Sequence, residues 1–174
     1  SDLQQMKSKL FINFIPTAIY DPVHCLKKTD KAVQATNITP DQIVFEVVES
    51  ERIKDYDHLN HILNYYKHKG YNTALDDVGS GYTDESAINA LTADIIKIDQ
   101  SIIHNVEQDP LKQDILKEYI KLAQANHSKI LAEGVETKDT FMYLLTLPID
   151  YFQGYYIAKP MTYINENKNY EYLI

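Results

Sequence analysis

Six short apolar runs in this chain each carry a hydrophilic residue where a buried strand has no obvious place for one. Asn13 follows Leu10, Phe11 and Ile12, Glu46 sits between Phe45 and Val47, and Asp76 and Asp77 follow Thr73, Ala74 and Leu75. Lys97 separates Ile96 from Ile98, Glu133 ends Ile130, Leu131 and Ala132, and Gln153 follows Tyr151 and Phe152. Taken singly, a carboxylate at the end of such a run is most often a helix cap, a turn former or a surface charge. Burying an unpaired charge is expensive, so repetition at run after run reads as a site. Carboxylates, amides and an ammonium drawn together suit a hard cation, Mg2+ or Mn2+ rather than zinc, and adjacent aspartates can bridge two ions. Two ions about 3.5–4 Å apart would serve in-line phosphoester hydrolysis, one generating hydroxide and both stabilising the developing charge.

The elements that must position these residues follow from periodicity. Apolar runs at 10–14, 43–48, 71–75, 95–98, 129–132 and 149–152 read as strands, and segments of helical spacing lie between most of them. Over 58–68, Leu59, Ile62, Leu63 and Tyr66 share a face; over 111–126, Leu111, Ile115, Leu116, Tyr119, Ile120 and Leu122 do the same. Asp109 followed by Pro110 opens the second helix as N-cap and first-turn proline, and Thr39 with Pro40 starts a helical turn before the run at 43. The alternation predicts an α/β fold of parallel strands, whose C-terminal ends are where ligands bind. Spacing alone leaves two architectures open: a doubly wound open sheet, or a (β/α) barrel one or two strands short of eight.

Composition narrows the partners. The 174 residues include 17 basic and 25 acidic side chains, a net charge of −8, which argues against binding a DNA or RNA polymer and requires metals to draw in a phosphate ester. No apolar stretch approaches bilayer length and no signal-peptide pattern opens the chain, so a cytoplasmic protein is expected. Ser1 in place of methionine leads us to expect a fragment or a processed chain. The single cysteine, Cys25, excludes an internal disulfide and reads as a small core residue. His58 and His61 read as solvated histidines on a surface helix, and Tyr65, Tyr66, Tyr71 and Tyr119 as half-buried packing residues.

Five stretches together resemble a known family. Glu46-Val47-Val48-Glu49 resembles its E-x-T-E pattern, Asp76 to Tyr82 its D-D-F-G-[TS]-G-Y, and Lys97-Ile98-Asp99 its K-I-D. Ala132 to Thr137 is similar to A-E-G-V-E-T, and Gln153-Gly154-Tyr155 with Lys159-Pro160 to the closing Q-G-Y…K-P. In this order, over residues 10–161, they resemble the EAL-domain family, bacterial cyclic di-GMP phosphodiesterases built on a modified TIM barrel. The resemblance implies a single, partial EAL-like domain over 1–174 that hydrolyses cyclic di-GMP to linear pGpG with a two-metal Mg2+ or Mn2+ site. It assigns Asn13, Glu46, Asp76, Asp77 and Glu133 to the metals, Lys97 to the attacking water, Gln153 to orienting that water or supporting the metal ligands, and Glu136 to a carboxylate beside the site. Glu49, Gly79 and Gly81 would support the loop after the paired aspartates. A homodimer and an attached regulatory domain are also implied.

The chain departs from the pattern at two places. No Glu-Ala-Leu occurs in it, so the first strand, with its metal-binding glutamate and the nearby phosphate-contacting arginine, is expected to be missing. That leaves a second reading, a module that binds cyclic di-GMP or a protein without turnover. In the loop, Val78 replaces the usual phenylalanine, and Thr83, Asp84 and Glu85 bring carboxylates where small and apolar residues are usual.

Overall fold

The computed structural model describes residues 9–47, 55–81 and 85–160. Six strands, β1 (Leu10–Phe14), β2 (Ile43–Val47), β3 (Asn72–Val78), β4 (Ile95–Ile98), β5 (Lys129–Ala132) and β6 (Tyr151–Phe152), form one sheet. All neighbours pair in parallel, and the spatial order is the chain order, β1 to β6. A doubly wound sheet reverses its order at a switch point; this one never does. The winding is therefore that of a (β/α) barrel, with β1 and β6 as open edges among the described residues.

Helices α1 (Pro22–Gln34), α2 (Tyr56–His68), α3 (Glu85–Ala90), α4 (Gln100–Ile103), α5 (Pro110–Ala125) and α6 (Lys138–Leu144) fill the connections. Asp109 caps α5 as its sequence predicts, accepting from the Leu111 and Lys112 amides, and Asp21 and Asp55 cap α1 and α2. The outer face of the sheet is packed under these helices in two clusters, one around Leu59, Leu75, Ile96 and Leu116, the other around Leu26, Phe45, Ile62 and Tyr66.

A third, smaller cluster lies on the opposite, inner face: Val44, Ala74, Ile95 and Leu131, with Phe11 and Tyr151 packed against it. Each of these six residues stands two positions before one of the hydrophilic residues, and strand side chains alternate with period 2. The inner face thus has an apolar layer below and a polar layer above, toward the strand C-termini. At the other end, carboxylates do structural work. Asp94 accepts from the Thr73 amide and hydroxyl, both at 2.9 Å, and Asp150 accepts from the Ile130 amide at 2.8 Å.

Several expectations shift. Strand β3 continues through both aspartates to Val78. It starts at Asn72 because the Tyr71 amide is taken by the Tyr66 carbonyl at the end of α2. Strand β6 is only Tyr151–Phe152, and Ile149 packs on the outer core ahead of it. Cys25 is exposed rather than buried, because α1 turns Pro22 and Leu26 inward. Tyr66 and Tyr71 are fully buried, not half-buried, the latter donating its hydroxyl to Asp30 at 2.6 Å. His58 is not simply solvated either: its Nε2 lies 2.8 Å from the Ile19 carbonyl.

Candidate metal centre

The adjacent aspartates pose a geometric problem, since consecutive strand residues face opposite sides of a sheet. Strand β3 solves it with a bulge. Leu75 pairs with Ile96 and Val78 with Ile98, so Asp76 and Asp77 together oppose the single residue Lys97. Asp77 takes the left-handed conformation, φ 53°, which aspartate tolerates better than most side chains. The extra residue re-aims the strand, and oxygens of Asp76, Asp77 and Glu133 come within 4.8 Å of one another. Among the described residues this is the group of three or more acidic, histidine or cysteine side chains with the spacing to hold a metal ion. Three carboxylates with no sulfur or imidazole fit a hard divalent cation.

Lys97 lies beneath them, 3% exposed. Its Nζ contacts Asp76 Oδ1 at 2.6 Å, Glu133 Oε1 at 2.7 Å and Glu46 Oε1 at 3.2 Å. Burial pulls the ammonium's pKa down, but Glu133 and Asp76 outweigh it, so the group stands above the ordinary lysine value. Burial raises the Glu46 and Glu133 carboxyls, and the pull of Lys97 only partly reverses this. Asp77 is raised by burial and then by the neighbouring Asp76 and Asp99. Three carboxylates on one ammonium leave an excess of two negative charges when all are ionised, and Asp77 adds a third. A divalent cation relieves that excess.

Above the carboxylates opens a cavity of about 320 Å³ lined by Asp77, Asp99, Glu133, Glu136, Gln153 and Tyr155, among others. Backbone bonds at the strand ends hold its walls: Asp99 N–H donates to Val78 at 2.9 Å, Glu133 to Ile98 at 3.1 Å and Gln153 to Ala132 at 2.9 Å. Gly154 and Gly134 also line it, and Gly154 sits so close to the Val135 backbone that a Cβ there would overlap it. Gly154→Ala is accordingly expected to lower stability by about 2–3 kcal/mol, read as a reduced urea midpoint at unchanged slope.

The structure thus gathers Asp76, Asp77, Lys97, Glu133, Glu136 and Gln153 at one end of the sheet. Glu46 joins through Lys97 and is outside the three-carboxylate group. Asn13 is level with Glu46 in the β1–β2 register, on the same inner face, and exposed. Gly79 and Gly81 both have φ +99° in the turn leaving β3. Glu49, Thr83 and Asp84 lie outside the described residues, as do residues 161–174, and Glu85 opens α3. Sequence reasoning passed over Asp99 and Gln100 as cavity residues. Asp99 also caps α4, accepting from the Ser101 amide at 2.9 Å, and its place two residues after Lys97, just past the end of β4, was the available signal.

Comparison with known proteins identifies relatives of the chain. The EAL domain profile matches residues 1–160. The chain is 38% identical over 157 residues to the probable cyclic di-GMP phosphodiesterase PdeG of Escherichia coli K12, covering 88% of this chain but 30% of that protein. A standalone EAL protein of Vibrio cholerae O395, solved with cyclic di-GMP bound, superposes with TM-score 0.84 and 39% identity over 91% of this chain and 67% of that one. BlrP1 of Klebsiella pneumoniae, solved with manganese and cyclic di-GMP, gives 0.78 and 28% over 87% of this chain and 39% of that one. With the bulged aspartate pair, the buried lysine and the glutamate wall all set at the strand ends, and the profile covering nearly its whole length, the chain belongs to the EAL-domain family.

Proposed function

We propose that this domain hydrolyses cyclic di-GMP to linear pGpG in the bacterial cytoplasm, using Mg2+ or Mn2+ in a two-ion site. The observation that carries the reading is the bulge that turns Asp76 and Asp77 together toward Glu133. Asp76, Asp77 and Glu133, supplemented by Glu46 and Asn13, would hold the metals, which supply an activated water and neutralise phosphoryl charge. Lys97 remains protonated at neutral pH, because its carboxylate partners raise it in spite of burial. It is therefore no base; it fixes Asp76 and Glu133 and offsets charge developing on the phosphoryl oxygens. Glu133, raised by burial and held by Lys97, sits beside the place of the attacking water, and Gln153 and Glu136 orient that water from the facing wall.

The test is direct. Incubated with cyclic di-GMP and Mn2+, the chain is expected to release pGpG, seen by chromatography, and to stop when EDTA is added. The second reading, binding without turnover, draws on Asn13, which is exposed on β1, an edge strand among the described residues. Saturable binding by calorimetry with no pGpG in either metal would favour it.

A further inference from the structure

Tyr155 and Tyr156 are neighbours that the fold uses differently. Tyr156 packs on Phe141, ring centroids 5.5 Å apart, against the outer core. Tyr155 lines the cavity with 59% of its surface exposed, and the Lys159 Nζ stands over its ring, 5.7 Å from the centroid. The turn that carries it is fixed. Gly154 abuts Val135, Tyr156 N–H donates to the Val135 carbonyl at 3.0 Å, and Ile157 and Ala158 N–H donate to the Gly154 carbonyl at 3.0 Å. An aromatic ring held in water on rigid backbone at the mouth of an acidic cavity is suited to a flat apolar ligand. Lys159 adds a cation beside a wall that otherwise carries Asp77, Asp99, Glu133 and Glu136.

We infer that Tyr155, backed by Lys159, is the stacking platform for one guanine base of the dinucleotide, and so a specificity-determining residue. This rests on the hydrolysis reading above. The base covers the ring face that Lys159 leaves free, and the ammonium strengthens the stack while offering charge to a phosphate.

Steady-state kinetics and calorimetry on cyclic di-GMP with Mn2+ test it. Tyr155→Ala is expected to raise KM, and the dissociation constant with it, roughly tenfold while kcat stays within about twofold, the mark of lost uniform binding. Tyr155→Phe keeps the ring and is expected to stay within about twofold of the wild type. Binding affinity gives the same ranking in a chain that binds without turnover. A Tyr155→Ala protein with wild-type KM and affinity overturns the platform and leaves the hydrolysis reading standing. An equal rise in Tyr155→Phe assigns the effect to the hydroxyl and overturns stacking. A wild-type chain that neither binds nor cleaves cyclic di-GMP removes the hydrolysis reading, and the platform with it.

Discussion

Asp77→Asn is expected to lower Mn2+-dependent turnover of cyclic di-GMP by roughly a thousandfold, in the range seen when one preorganised electrostatic group is removed. The substitution suits the question because asparagine, like aspartate, accepts the left-handed conformation that residue 77 adopts. The bulge survives and only the charge is lost. Metal-free stability should move the other way. Burial, Asp76 and Asp99 all oppose ionisation of Asp77, so removing that carboxylate relieves the folded protein. The metal-free melting temperature is expected to rise slightly, and the upward shift that Mn2+ gives the wild type to shrink. Full turnover in Asp77→Asn would remove the aspartate pair from the mechanism.

Lys97→Met is expected to cost about 3–5 kcal/mol, because it strands Glu46, Asp76 and Glu133 in the interior without their shared cation. The loss should depend on pH. Glu46 and Glu133 already stand above the ordinary carboxylate value through burial, and Lys97 is what holds them down. Without it the folded state keeps protons that the unfolded chain has released, so stability falls as pH rises through that window. Urea midpoints in EDTA should therefore differ most from wild type near pH 8 and converge toward pH 5. Lys97's own contribution is complete below the ordinary lysine value of 10.5 and unchanged across this range, since its folded pKa lies higher still. Saturating Mn2+ should restore part of the loss. A deficit independent of both pH and metal would mean that these carboxylates are solvated and do not rely on Lys97.

The parallel strands were legible because a sheet covered on both faces reads as apolar runs, and the polar intruders marked its C-terminal edge. What spacing could not decide, open sheet or barrel, was settled by strand order, a property of long-range pairing. The bulge left no local trace: Asp76 and Asp77 read as the end of a strand, and only pairing with β4 shows both opposing Lys97. Lys97 was legible as anomalous, but its three partners come from β2, β3 and β5 and share no sequence neighbourhood. Cys25 misled because a small apolar residue one position from Leu26 looks buried until the phase of the helix is known. Tyr155 and Tyr156 are indistinguishable by type; the close packing of Gly154 on Val135 separates them.

The extra residue in β3 has an evolutionary corollary. Loss of either aspartate codon would restore an unbroken pleat, with one carboxylate gone and the other left alone opposite Lys97. The three-carboxylate group would vanish while the apolar floor around Val44 and Ile95 stayed intact. A lineage could thus turn such a domain into a scaffold in a single step, keeping its architecture and discarding the metal-spaced carboxylates.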